Sequence, residues 1–138
     1  MSRISFIFPG QGSQAIGMGK ELADAFPAAK AVFDEVDAAL GEKLSALIWG
    51  GSIEELTLTA NAQPALMAVS LAAARALEAG FGVKISTAAF VAGHSLGEYS
   101  ALAAAGALSV TDAARLLRKR GQAMQAAAPA GTGAMAAL

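Results

Sequence analysis

The feature that most constrains the fold is a strand, a glycine-flanked serine and a helical run that follow one another without a break. Residues 87–93 (TAAFVAG) form a short apolar run closed by glycine, which is typical of a buried strand. Gly93-His94-Ser95-Leu96-Gly97 comes next, and LGEYSALAAA then has the composition of a helix. The two glycines allow the sharp strand-to-helix turn that presents a serine hydroxyl at the head of a helix. The segment therefore predicts an α/β unit with Ser95 at the carboxyl end of a strand.

A second strand is predicted near the N-terminus. Residues 4–8 (ISFIF) are β-branched and aromatic, and Pro9 and Gly10 stop the run, which indicates a buried strand that leads into a loop. Between and after the two strands, start and stop signals predict helices over about 17–26, 27–40, 64–80 and 110–127, and the SIEE capping box at 52–55 predicts a short one. The start signals are Pro27, Ser52, Pro64 and Ser109, and Gly80 is a stop signal. Strand, helices, strand and helix is the order of a parallel α/β sheet with right-handed crossovers. The last residues, AMAAL, resemble the beginning of another strand.

The chemistry of Ser95 depends on a base, since a serine hydroxyl is a weak nucleophile until its proton is removed. We favour a nucleophilic role for Ser95 over a purely structural role in the turn. The backbone N–H of Leu96, at the start of the helix, is then the first donor expected for an oxyanion. His94 is the only histidine in the sequence. Adjacent side chains on a tight turn point apart, however, so we expect His94 to shape the turn together with Gly93 and Gly97 rather than to act as the base.

The glycine-rich loop at 9–17 (PGQGSQAIG) invites comparison with nucleotide-binding loops, and it fits none of them. A G-x-G-x-x-G pattern would need glycine at Ala15, and a Walker loop would need lysine at Met18. Two interpretations remain, a flexible turn or a loop whose Gln11 amide donates to an oxyanion. If the strands are parallel neighbours, Gln11 and Ser95 lie at the same edge of the sheet.

Arg120 lies within an apolar stripe of the predicted helix 110–127. At about 100° per residue, Ala113, Leu116, Leu117 and Met124 share one face, with Arg120 in its middle. A guanidinium buried there requires an anion, which is either a structural carboxylate or the carboxylate of a bound substrate. The opposite side has the composition of a solvated face and carries Arg115, Arg118, Lys119 and Gln122.

Composition excludes several classes of function. The 138 residues carry a net charge of −1, so no broad basic field exists for nucleic acid. The absence of cysteine excludes a disulfide scaffold and a thiolate metal site, and we expect no metal. The apolar positions before Pro9 are too few for a signal peptide, and no apolar run approaches the roughly 20 residues of a membrane span. We therefore expect a cytoplasmic protein without a membrane partner.

Five segments in one order, FPGQGSQ, AQPAL, GHSLGEYSA, RG followed by MQ, and GTGAMAAL, resemble the malonyl-CoA:acyl carrier protein transacylases of fatty acid synthesis. The resemblance runs from Ile4 to Leu138. It implies that Ser95 takes a malonyl group from coenzyme A as an ester and passes it to the phosphopantetheine thiol of acyl carrier protein. It also implies that Gln11 and the Leu96 amide hold the oxyanion and that Arg120 pairs with the malonyl carboxylate. Gln63 matches a recurring family glutamine, to which we assign no role in the chemistry. No cofactor is implied, since malonyl-CoA is a substrate.

The same resemblance implies that the family's catalytic base is a histidine in a later segment. We therefore expect these residues to be the N-terminal portion of an enzyme. Residues 1–128 would belong to an incomplete, α/β-hydrolase-like large subdomain, and 129–138 would begin a small ferredoxin-like subdomain. The rest of the same protein would then be a partner of this portion. Two alternatives stay open: a serine esterase of the α/β-hydrolase type, and a catalytically inert binding or assembly unit.

Overall fold

Two parallel strands form the sheet that positions the site. The computed structural model describes residues 4–129 and 131–133, and within them β1 (Ser5–Phe8) pairs with β2 (Phe90–Gly93). Phe8 lies opposite Gly93, so both strands end at the same edge. Parallel strands need a crossover connection. Here it consists of α1 (Lys20–Ala25), α2 (Pro27–Leu40), α3 (Leu44–Gly50), α4 (Ile53–Thr57), α5 (Thr59–Phe81) and a 3₁₀ turn (Ile85–Thr87). After β2 come α6 (Gly97–Ala104) and α7 (Val110–Ala127).

The α/β class and the parallel sheet are confirmed, whereas the expected burial of the strands is wrong. Ile7 is 80% exposed and Phe90 is 70% exposed, and only Phe8 of β1 is buried. The helices of the described residues leave much of both strands uncovered. The sequence shows that these strands are apolar, but their burial depends on which other segments of the protein pack over them.

The core lies among the helices. Helix α5 packs against α7, α2 and α6, and its alanine-rich surface permits close approach. The largest fully buried apolar side chains include Phe33, Ile48, Leu56, Met67 and Leu117. The predicted start signals at Pro27, Ser52 and Ser109 are confirmed, and the Ser52 and Ser109 hydroxyls each accept the backbone N–H three residues ahead. The core thus holds α5 and α7 in a fixed relation, and these two helices carry much of the site.

The predicted ends of α5 are wrong on both sides. The helix begins at Thr59 and continues through Pro64, and it ends at Gly82, whose left-handed φ of 68° caps the helix instead of Gly80. Proline inside a helix removes the N–H that would bind the carbonyl four residues back, here that of Ala60. The guanidinium of Arg118 on α7 donates to that carbonyl at 2.7 Å. A tertiary contact therefore replaces the missing helical hydrogen bond.

Helix α5 also corrects the expectation that no segment approaches the length of a membrane span. It has 23 residues, and its most apolar stretch of 18 residues has a mean hydropathy of 1.2, which is sufficient by length and composition alone. Half of its most apolar stretch is buried inside the fold, where it packs against α2 and α7. It serves here as the central core helix.

The described residues do not test the prediction for the C-terminal segment. Pro129 and residues 131–133 form a turn in which the Thr132 N–H and hydroxyl both donate to the Pro129 carbonyl. The strand expected at 134–138 lies outside the described residues. The division into 1–128 and 129–138 and the ferredoxin-like assignment stay predictions.

Candidate active site

The turn between β2 and α6 has the strained geometry that the glycine pattern predicts. Ser95 has a φ of 55°, and it is the one non-glycine residue with positive φ in the described part of the chain. A Cβ added at Gly93 would lie 1.9 Å from the Gly97 carbonyl carbon, and one at Gly97 would lie 2.3 Å from the Phe8 carbonyl oxygen. Only glycine fits at either position. Local strain of this kind is concentrated at functional sites, which makes Ser95 a candidate catalytic residue.

The hydroxyl of Ser95 is exposed at the head of α6 and accepts a hydrogen bond from Arg120. The distance from Arg120 Nη2 to Ser95 Oγ is 3.1 Å. Across the described residues, the backbone N–H groups of Ser95 and Leu96 donate to no protein acceptor. Because they lie at the start of α6, these N–H groups are available to a negatively charged atom near Ser95.

Arg120 is held by neutral groups. Its Nη1 donates to Gln63 Oε1 at 2.6 Å, and its Cζ lies 5.7 Å from the centroid of the Tyr99 ring. Among residues 4–129 and 131–133, no carboxylate forms an ion pair with it. Within these residues, therefore, nothing supports the alternative that Arg120 pairs with a carboxylate of the protein itself. A cation without an anionic partner beside a serine hydroxyl is suited to bind an anionic ligand.

The predicted apolar stripe around Arg120 is partly wrong. Ala113 and Leu117 are buried as expected, but Leu116 and Met124 are exposed. The buried face of α7 instead runs along Ala113, Ala114, Leu117 and Gly121. Arg120 therefore lies on one edge of the buried face and is half-buried.

Gln63, to which the sequence assigned no role in the chemistry, is part of the site. It is 1% exposed, and its two amide atoms have different partners. Oε1 accepts from Arg120, while Nε2 donates to the Met124 sulfur at 3.3 Å. The available signal was a glutamine directly before Pro64 in an otherwise apolar helix, where burial demands a partner. Gln63 orients the guanidinium of Arg120.

His94 lies beside the turn. Its backbone N–H donates to the Phe8 carbonyl at 3.1 Å, and its imidazole lies over Gly10, where an added Cβ would be 2.5 Å from Nδ1. In the described residues, no hydrogen bond joins the His94 ring to the Ser95 hydroxyl. The structure therefore does not bring the one imidazole of the sequence to the serine as a base.

Gln11 follows β1 at the same sheet edge as Ser95. Its Nε2 donates to Thr59 Oγ1 at 3.3 Å, and the neighbouring Gln14 Nε2 approaches Thr57 Oγ1 at 3.4 Å. An amide NH₂ has two hydrogens, so the contact with Thr59 leaves the second N–H of Gln11 for another acceptor. The loop thus has side-chain anchors on α4 and α5 and is more than a flexible turn.

The expected solvated face of α7 requires one correction. Arg115, Lys119 and Gln122 are exposed, but the Arg118 side chain is only 15% exposed. Arg118 contacts the Ala60 carbonyl, the Asn61 side chain and Glu42. Burial lowers the pKa of Arg118 from its ordinary value because it disfavours the charged form. Helical angles alone could not show that α5 offers acceptors on this side.

Within residues 4–129 and 131–133, neither a metal-binding cluster nor the cavity beside α6 adds to the site. The described residues contain no group of three His, Asp or Glu side chains placed to hold a metal ion. A cavity of about 200 Å³ lies between the C-terminal half of α5 and α6, with Leu71, Arg75 and Lys84 in its lining, and it includes neither Ser95 nor Arg120.

Two similar proteins of known function carry the same name. The chain is 60% identical over 139 residues to the malonyl CoA-acyl carrier protein transacylase of Bacillus subtilis (strain 168), which covers all of this chain and 42% of the relative. It is 48% identical over 138 residues to the protein of that name from Escherichia coli (strain K12), covering all of this chain and 44% of the relative. The chain thus spans about two fifths of the length of these relatives.

Solved structures of similar proteins superpose on most of this chain. The acyl-carrier-protein-S-malonyltransferase from Bartonella henselae superposes with a TM-score of 0.88 at 63% identity, over 91% of this chain and 40% of that one. A malonyl-transacylase in complex with its type II polyketide synthase acyl-carrier protein gives a TM-score of 0.85 at 45% identity, over 93% of this chain and 40% of that one. The resemblance inferred from the five sequence segments is confirmed. The profile of the acyl transferase domain matches residues 5–138, and the chain belongs to that family.

Proposed function

We propose that the protein containing this chain transfers a malonyl group from coenzyme A to the phosphopantetheine thiol of an acyl carrier protein. The observation that carries the proposal is the contact between Arg120 and Ser95, in which a cation with no carboxylate partner in the described residues donates to a strained serine. A nucleophile and a carboxylate-binding cation side by side suit an acyl group that has a free carboxylate. The names of the relatives support the same substrate and the same acceptor.

In the first half-reaction, Ser95 Oγ attacks the thioester carbonyl carbon and its proton passes to a base. The carbonyl oxygen becomes an oxyanion, to which the Leu96 N–H and the second N–H of Gln11 donate. The intermediate collapses as the C–S bond breaks, and coenzyme A leaves as its thiol with the proton returned by the base. The product is a malonyl ester on Ser95.

The second half-reaction reverses these steps with a different thiol. The phosphopantetheine sulfur attacks the ester carbonyl, the same donors hold the new oxyanion, and the C–O bond to Ser95 breaks as the serine regains a proton. The reaction is therefore ping-pong. It needs no cofactor, because the thioester already carries an activated acyl group.

Arg120 selects the acyl group. Its contact with Gln63 fixes the guanidinium, and the carboxylate of the malonyl group takes the place of the Ser95 oxygen as an acceptor. An acetyl group offers no such acceptor. Charge-assisted hydrogen bonds to a carboxylate are about twice as strong as neutral ones, so the site favours a dicarboxylic acyl group.

The base for Ser95 belongs to a segment beyond these residues in this proposal. His94 lies against Gly10, and within the described residues its ring makes no hydrogen bond to the hydroxyl. The relatives are more than twice as long as the chain, so they contain further residues that could supply a base.

The carrier protein would dock on the exposed cations of α7. Arg118 is excluded because it is buried against Glu42, which leaves Arg115 and Lys119. Reversing both charges should weaken binding of an acidic carrier protein. Unchanged affinity would remove this surface from the proposal.

The transfer proposal is tested with the full-length protein, malonyl-CoA and a carrier protein bearing phosphopantetheine. We expect malonyl-carrier protein to form and Ser95→Ala to abolish its formation. Release of free malonate without transfer, together with hydrolysis of simple esters, would favour an esterase. Tight carrier-protein binding with no acyl transfer would favour a binding unit.

A further inference from the structure

The first turn of α5 depends on α7 for its hydrogen bonds at Ala60. Pro64 leaves the Ala60 carbonyl without a helical donor, and Arg118 Nη1 donates to it at 2.7 Å. The Ala60 N–H, one of the unpaired donors at the helix start, lies 3.4 Å from Gln125 Oε1. Both backbone groups of Ala60 therefore find their partners on α7.

The α7 residues at this contact share one face of the helix. Arg118, Gly121 and Gln125 are spaced three and four residues apart, which aligns them along α7. Gly121 lies directly against Ala60, since an added Cβ would be 2.6 Å from the Ala60 Cα. The two backbones thus touch at Gly121, with a polar contact on either side. This fixes how far α7 can slide or rotate along α5.

The same two segments carry the carboxylate-binding pair. Gln63 is three residues after Ala60 on α5, and Arg120 is two residues after Arg118 on α7. A displacement at Ala60 would move Gln63 relative to Arg120, whose side chains now meet at 2.6 Å. It would also disturb Thr59, which anchors the amide of Gln11.

We propose that Arg118 is a positioning residue for the acyl-transfer site: by occupying the carbonyl that Pro64 leaves free, it sets the register of α7 on α5 and holds Arg120 in its carboxylate-binding position. This role rests on the proposed function. A guanidinium suits it because its planar set of donors serves Ala60, Asn61 and Glu42 together. A lysine ammonium lacks that fixed fork.

The test uses four full-length proteins: the parent, Arg118→Met, Pro64→Ala and the double variant. Alanine at 64 restores the backbone N–H that can bind the Ala60 carbonyl, so it should remove the need for Arg118. The quantity measured is kcat/KM for malonyl-CoA divided by kcat/KM for acetyl-CoA. Arg75→Met is the matched control, because Arg75 is an exposed arginine on α5 beside a cavity that includes neither Ser95 nor Arg120.

We expect Arg118→Met to lower this ratio on the order of tenfold, as small displacements of a binding group do. The double variant should return to within about threefold of Pro64→Ala, and Arg75→Met should leave the ratio unchanged. The free energy of unfolding of the same four proteins should also be non-additive, a readout independent of activity.

An equal loss of both substrates in Arg118→Met would show a purely structural role and overturn the inference. The inference also fails if alanine at 64 gives no rescue, or if Arg118→Met does not fold and the double variant does not fold either. A parent protein that transfers no malonyl group would overturn the proposed function and this role with it. A parent that transfers malonyl with an unchanged ratio in Arg118→Met overturns only the role of Arg118.

Discussion

Replacing Arg120 by alanine separates the binding of a carboxylate from the acyl-transfer chemistry. The change removes the donors to Ser95 Oγ at 3.1 Å and to Gln63 Oε1 at 2.6 Å. In the proposed reaction it also removes the donors to the malonyl carboxylate. Acetyl-CoA carries no carboxylate, so its transfer should lose far less. The ratio of the two substrates isolates the missing contact.

The magnitude follows from the number of contacts. A hydrogen bond to a charged group contributes about 1.5–3 kcal/mol, so a bidentate contact contributes about 3–6 kcal/mol. At about 1.4 kcal/mol per factor of ten, kcat/KM for malonyl-CoA should fall between about a hundredfold and about ten-thousandfold relative to acetyl-CoA. The buried Gln63 oxygen also loses its donor, which costs about 1–3 kcal/mol of stability and affects both substrates alike.

The assay is the initial rate of acyl transfer to the carrier protein over a range of each thioester, with a thermal unfolding curve for each protein. Arg75→Ala serves as the control, because it removes an exposed arginine that lies outside the site. Equal losses for malonyl-CoA and acetyl-CoA in Arg120→Ala would refute the carboxylate role, whatever the effect on stability.

Three further predictions concern stability and are measured by denaturant unfolding of the full-length protein. Gly97→Ala should destabilise the protein by about 3 kcal/mol or prevent folding, because its Cβ would lie 2.3 Å from the Phe8 carbonyl oxygen. Gly50→Ala is the control: the space around Gly50 is open, so stability should change by less than about 1 kcal/mol, and similar effects of the two changes would contradict the close packing at Gly97. Ser109→Ala should cost about 1 kcal/mol through loss of the N-cap, and no loss would mean that the cap adds nothing. Ser100→Ala should leave stability unchanged or raise it, because its buried hydroxyl has no hydrogen-bond partner in the described residues, and a loss above about 1 kcal/mol would reveal an unseen partner.

The features predicted well from sequence are local ones. In the turn at Ser95, glycine at 93 is required by the Gly97 backbone, four residues along the chain. The hydroxyl of Ser109 caps the helix that follows it at once. Such signals act over one turn of chain, so a single sequence contains them in full.

The features predicted poorly depend on distant segments. The apolar strands were expected to be buried, but burial is decided by what covers them. Pro64 was expected to begin a helix, because sequence alone does not show that Arg118 would supply the missing donor. The role of Gln63 became visible only when α5 and α7 were placed side by side. In each case the missing information was a tertiary contact.

The central claim, that Ser95 carries the malonyl group, is tested most directly by mass spectrometry. The full-length protein is mixed briefly with malonyl-CoA and denatured. Its intact mass is then measured, and the modified residue is located by peptide mapping. We expect one malonyl adduct on the peptide that contains Ser95, and none on that peptide in Ser95→Ala. Malonyl transfer to the carrier protein without an adduct at Ser95, or with the adduct on another residue, would contradict it.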